Sequence, residues 1–181
     1  YGENPHQMAG FYLNKNLKKT LWSQHQGKEL SYNNYNDLES AFNVVNEFSE
    51  PACVIIKHAN PCGFGIGNNL NTAYNRAVST DPISYFGGIV GFNKTIDLEL
   101  AQTLIKPFLE CIIAPKISSD ALEVFKSKKN LRILTLNNTK AFDGLSIKSS
   151  AGGFVIQEKD ICNKELARLH VVTEKNVTEK Q

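Results

Sequence analysis

Short apolar runs that alternate with segments of helical periodicity constrain this chain most. Cys53–Lys57, Ile89–Phe92, Cys111–Ala114 and Leu131–Leu134 are aliphatic, β-branched stretches that read as buried strands. Between them, apolar residues recur at helical spacing: Leu38, Ala41, Phe42, Val45 and Phe48, then Leu70, Ala73, Tyr74, Ala77 and Val78, then Leu98, Ala101, Leu104, Ile105 and Phe108. Asn36 or Asp37 is placed to cap the first helix, and Asp120 with Glu123 forms a capping-box pattern ahead of a fourth helix through Phe125. Strands alternating with helices predict an α/β fold, three-layered α/β/α, around a largely parallel mixed sheet.

The pattern decays after Leu136. Asn137-Asn138-Thr139 is a turn cluster, Gly152–Ile156 adds a strand at an edge, and Glu174–Gln181 is polar with no apolar face. The predicted division is an α/β unit over 1–136 and, over 137–181, an edge strand with a connecting segment. The first residue is Tyr rather than Met and opens directly on a motif-like segment, so a piece of a longer polypeptide is expected. No apolar run reaches the roughly 18 residues that span a bilayer, and no membrane association is expected. The net charge of +2 gives no reason to expect a nucleic-acid partner. Cys53, Cys62, Cys111 and Cys162 are scattered, which fits a reducing cytoplasmic setting better than a disulfide framework.

The Cys53–Ile56 run drives into Lys57-His58, and a stretch rich in Pro, Gly and Asn follows. Lys57 and His58 therefore stand where a central strand ends, the place at which open α/β sheets bind ligands. An ammonium beside an imidazole on a rigid element suits proton transfer and stabilisation of developing negative charge. The plainer alternative is a strand end capped by two solvated polar residues. Gly63, Gly65 and Gly67 match neither the dinucleotide fingerprint nor a P-loop. They supply either the freedom of a tight turn or amides that approach a phosphate. Lys126, Lys128 and Lys129 form the densest basic spot, either a solvated helix end or local charge for a phosphate-bearing small molecule. His58 with Pro61-Cys62 lies near the ligand pattern of zinc deaminases, but Asn60 holds the Glu position and no second cysteine follows. No metal site is expected.

Five segments stand in the order and spacing of one family: Tyr1–Gln7 (YGENPHQ), Leu30–Asn34 (LSYNN), Lys57–Gly63 (KHANPCG), Asp81–Gly88 (DPISYFGG) and Glu110–Pro115 (ECIIAP). The match continues through Gly152-Gly153 to Val171-Val172-Thr173. Together they resemble the transformylase portion of the bifunctional AICAR transformylase/IMP cyclohydrolase family of purine (IMP) biosynthesis.

The resemblance implies formyl transfer from 10-formyltetrahydrofolate to the 5-amine of AICAR, on a cytidine-deaminase-like fold without zinc that is built as two related halves. This chain matches the first half. It makes Lys57 and His58 catalytic, His58 taking a proton from the amine and Lys57 steadying the formyl oxygen. It places substrate contacts at Tyr1 and Gly2, at Asn33 with Asn34 as the neighbouring alternative, at Gly87 through a backbone amide of the Phe86-Gly87 turn, and at Glu110. It further implies a homodimer with active sites at the subunit interface, folate contacts in a second half, and little activity for these residues alone. His6, His25 and His170 are taken as surface or structural. Two other functions remain open: a deaminase-like hydrolase, and a non-catalytic purine-nucleotide-binding module using the glycine turn and Lys57.

Overall fold

A computed structural model describes residues 1–4, 6–13, 21–136, 145–159, 171–172, 174–175 and 178. The turn cluster at 137–139, Cys162, His170, Thr173 and most of the polar tail lie outside the described residues. The chain divides into two compact units, Tyr1–Thr139 and Lys140–Gln181.

The first unit holds strands β1 (Trp22–Gln26), β2 (Ala52–Lys57), β3 (Asn60–Ile66), β4 (Ile89–Phe92), β5 (Cys111–Ala114) and β6 (Arg132–Leu136). Helices α1 (Tyr32–Asn46), α2 (Leu70–Thr80), α3 (Leu98–Leu104) and α4 (Ser119–Phe125) alternate with them. The sheet order is β1-β6-β5-β4-β2-β3. β4, β5 and β6 run parallel through the α3 and α4 crossovers, and antiparallel pairs flank them on both sides. One sheet face packs Ile55, Val90, Ile112 and Ile133 into a core with residues of α2, α3 and α4. On the other face α1 lies against β2, β4 and β5, with Leu38, Ala41, Phe42 and Val45 fully buried. The three-layer α/β/α arrangement follows from one fact: β2, β4 and β5 are buried almost throughout, so the sheet needs cover on both faces.

Several elements differ from the sequence expectation, each for a local reason. α1 starts earlier, because Ser31 rather than Asn36 or Asp37 caps it. The Ser31 side chain accepts from the Asn34 N–H and the Asn34 side chain accepts from the Ser31 N–H, both at 3.1 Å. That is a capping box with Asn in the usual Glu place. Ser118, not Asp120, caps α4 by accepting from the Ala121 N–H. α3 ends before Phe108, which is exposed beyond Pro107.

The stretch after Lys57 is not a loop but strand β3, joined to β2 by the two-residue turn His58-Ala59. Gly63 and Gly65 alternate on the side that meets α2. A Cβ at Gly63 would sit 2.2 Å from the Ala77 carbonyl oxygen, and one at Gly65 would sit 2.3 Å from that of Ala73. These glycines therefore let a helix backbone press onto a strand, which is neither a tight turn nor a phosphate cradle. β1 is a polar edge strand in which Trp22, Ser23 and Gln24 pair antiparallel with Leu136, Thr135 and Leu134.

In the second unit, β7 (Leu145–Ser150) and β8 (Gly153–Glu158) pair with each other as an exposed hairpin. The strand expected near Phe154 is therefore half of a two-stranded ribbon instead of an edge strand. Among the described residues no helix is long and apolar enough to cross a membrane.

Candidate functional site

The sheet register assembles the site. Ile56 pairs with Ile89, Ile89 with Cys111 and Cys111 with Arg132, a continuous row across four strands. One step further out lie Lys57, Gly88 and Glu110, and the Glu110 N–H donates to the Gly88 carbonyl at 3.1 Å. Strand spacing puts the Lys57 and Glu110 backbones roughly 10 Å apart. Because β2 runs against β4, the carboxyl end of β2 meets the amino ends of β4, β5 and β6. The usual carboxyl-end rule for parallel sheets thus does not describe this edge; the β2–β3 hairpin supplies the presenting turn.

Lys57 ends β2 half-buried, and its ammonium donates to the Phe86 carbonyl at 3.0 Å. His58 is exposed. His58 and Ala59 have φ of 53° and 61°, the paired positive values of a type I′ hairpin turn. Asn and Gly normally fill such positions, and a residue with a Cβ costs about 1–2 kcal/mol there. Such strain persists where the surroundings over-determine it, often at functional sites. Two contacts grip the turn. The Ala59 N–H donates to Asp37 Oδ1 at 2.6 Å, and the Asn60 side chain donates to the His58 carbonyl at 2.8 Å.

Glu110 precedes β5. Asn34 Nδ2 donates to its Oε2 at 3.3 Å, and Arg132 Nη1 lies 3.8 Å from the same oxygen. Arg132 also donates through Nε to the Glu29 carbonyl and through Nη2 to the Tyr1 phenol oxygen at 3.3 Å. The Tyr1 carbonyl accepts from the Tyr32 N–H at 2.7 Å, which docks the N-terminal arm on the start of α1. Gly2 is buried, with Gln7 2.8 Å from where a Cβ would stand.

Of the expected substrate contacts, Tyr1 and Glu110 come together and Asn34 joins them. Asn33 is half-buried in the first turn of α1, and it is Asn34 that bonds Glu110. The Gly87 amide is engaged inside the chain, donating to the Phe108 carbonyl at 2.9 Å. Gly87 adopts φ +70°, so glycine is needed there for the turn itself.

Tyr1, Glu110 and Arg132 line a cavity of about 720 Å³ together with Lys28, Lys106, Lys128 and Lys129. Sequence reading left Lys128 and Lys129 as a solvated helix end or an anion site, and did not single out Arg132, Lys28 or Lys106. Cationic groups dominate this wall against the lone Glu110 carboxylate, so the cavity favours an anion. Lys57 and His58 are not among its described lining residues. They connect to it through Phe86, whose carbonyl holds Lys57, and Gly87, whose amide holds Phe108 of the cavity wall.

Within the row, burial pushes the Cys111 thiol up to about 12; Arg132 pulls it down while Glu110 and Asp37 push it further up. Burial likewise raises the Cys62 thiol. Asp81 caps its own loop by accepting from the Ile83 and Ser84 N–H groups, and the hydrogen bonds to Ser84, more than the Lys57 charge, lower its carboxyl. Among the described residues, no three His, Cys, Asp or Glu side chains converge as a metal-binding group.

The sequence model of the AICARFT/IMPCHase bienzyme matches residues 1–181. The chain belongs to the AICARFT/IMPCHase bienzyme family. That family is one of purine biosynthesis, and its description joins a formyltransferase to a cyclohydrolase. Among solved structures, a candidate formate dehydrogenase accessory protein from Desulfotalea psychrophila superimposes with a TM-score of 0.42 at 8% identity, covering 61% of this chain and 45% of that one. Two crystal forms of Acinetobacter baumannii RibD each give 0.39, at 14% and 13% identity, over 55% of this chain and 33% and 34% of theirs. The chain spans less than half the length of these structures, and overlaps of this size carry no argument about fold or function.

Proposed function

We propose that this AICARFT/IMPCHase chain forms the amine-activating part of a formyltransferase site, moving the formyl group of 10-formyltetrahydrofolate to the 5-amine of AICAR. One observation carries the reading: an adjacent ammonium and imidazole stand at the hairpin end of the same sheet edge that holds the cation-lined cavity of Tyr1 and Glu110. The nucleotide phosphate sits among the lysines, and the imidazole carboxamide reaches toward Lys57 and His58. The amine nitrogen attacks the formyl carbon, and His58 removes a proton as the C–N bond forms. Lys57 steadies the formyl oxygen of the tetrahedral adduct. The adduct collapses as the proton held by His58 passes to the folate nitrogen, the bond from carbon to that nitrogen breaks, and tetrahydrofolate leaves. In this reading the full-length protein is a homodimer whose sites lie at the subunit interface, and it also closes the formylated product to IMP.

The test is steady-state formyl transfer by full-length protein carrying Lys57→Ala or His58→Ala. Each is expected to lower kcat about 10²-fold or more while AICAR still binds. Unchanged turnover in both variants removes the reading. Binding of AICAR by the native protein with no transfer favours a non-catalytic nucleotide-binding module.

A further inference from the structure

The His58 turn is backbone-strained, and its grip comes from a residue that sequence reading treated only as a helix cap. Asp37 sits in α1 and sends Oδ1 across to the Ala59 N–H at 2.6 Å. It is half-buried beneath the turn. The amide it holds belongs to a residue with φ of 61°, the second of the two left-handed positions. The β2–β3 ladder pairs Lys57 with Asn60 across the turn and includes neither His58 nor Ala59. A charged acceptor makes a shorter and stronger bond than a neutral one. Asp37 also lies one helical turn beyond Asn34, whose side chain holds Glu110. A single helix face thus grips the turn bearing the imidazole and the carboxylate of the cavity.

We propose that Asp37 is the positioning residue for His58: its carboxylate fixes the strained turn and thereby aims the imidazole relative to the Glu110 cavity. This rests on His58 being the proton acceptor in the proposed transfer. A displaced general base loses rate through lost alignment, which costs up to about 10²-fold for an ångström. Substrate binding in the lysine-lined cavity is not touched.

The experiment uses full-length protein with Asp37→Ala and the isosteric Asp37→Asn, whose amide oxygen can accept the same N–H. Asp37→Ala is expected to lower kcat 10- to 100-fold with KM for AICAR within about twofold, and Asp37→Asn to restore most of the rate. In parallel, hydrogen exchange of the Ala59 amide is expected to be slow in native protein, faster in Asp37→Ala and near native in Asp37→Asn. An unchanged kcat in Asp37→Ala, a loss confined to KM, or an Asp37→Asn variant as slow as Asp37→Ala overturns the proposal. So does an Ala59 amide whose exchange ignores the substitution, whatever the chemistry proves to be. If His58→Ala leaves transfer intact, the assignment of the base fails by itself; the exchange data then still report whether Asp37 holds the turn.

Discussion

The Arg132 guanidinium and the Glu110 carboxylate stand 3.8 Å apart at the starts of neighbouring parallel strands, with side chains 9% and 44% exposed respectively. The buried partner is satisfied from several directions, by the Glu29 carbonyl and the Tyr1 phenol as well as by Glu110. The more exposed partner presents a carboxylate to the cavity while Asn34 holds the same oxygen from α1. An ion pair of this kind gives orientation more than stability.

Asn34 and Asn33 should therefore behave differently. Asn34→Ala removes half of the capping box and one partner of Glu110, a loss of about 1–2 kcal/mol. Asn33→Ala should stay within about 0.5 kcal/mol. Urea midpoints of the two variants check this, and equal shifts contradict it.

Gly65→Ala drives a methyl group into the Ala73 carbonyl of α2, where neither backbone can give way. The expected loss is about 3 kcal/mol or more, the upper end of overpacking costs. Gly153→Ala, with nothing within 4 Å, should be close to neutral. Thermal melts compare the two directly.

Buried thiols set an alkaline limit. The Cys111 thiol rises from 9.0 to about 12 in the folded protein, and burial also lifts Cys53 well above its ordinary value. Below pH 9 both folded and unfolded thiols are protonated, and this stability is fully present. Above pH 9 the unfolded thiols ionise first, so the unfolded state binds fewer protons and stability falls as pH rises toward the folded value. Each thiol contributes a slope of up to about 1.4 kcal/mol per pH unit. Chemical denaturation at pH 8 and pH 10.5 measures it, and a constant midpoint refutes it.

Lys128→Gln with Lys129→Gln should raise KM for AICAR about tenfold, equal to about 1.4 kcal/mol, with kcat unchanged. The effect should shrink at high salt. A loss in kcat at constant KM places the phosphate elsewhere.

Much of this architecture was legible because burial and periodicity agree. β4 and β5 match their apolar runs to the residue, and α2 matches its stripe of Leu70, Ala73, Tyr74 and Ala77. β3 was hidden because the residues that let α2 press on it, Gly63 and Gly65, are the residues that mark turns elsewhere. β1 was hidden because a polar edge strand carries no apolar alternation. At the site, the end of β2 at Lys57 was readable from the apolar run before it, whereas the placement of Tyr1 beside Arg132 and Glu110 was not. Asn34 is the one of the Asn33-Asn34 pair that bonds Glu110, and the Ser31-x-x-Asn34 capping pattern was the local signal for its placement. Asp37 and Arg132 were not readable, since their roles are long-range contacts across 22 and 131 residues of sequence, to Ala59 and Tyr1 respectively.

The transverse row from Ile56 to Arg132 has one more consequence. The gap between Lys57 and Glu110 is measured in whole strands, a ruler ruled by backbone pairing rather than by side-chain shape. The crossover helices can grow or shrink without changing that reading. A slip of one residue in β5, by contrast, would turn Glu110 to the opposite side of the sheet, away from Arg132 and Asn34.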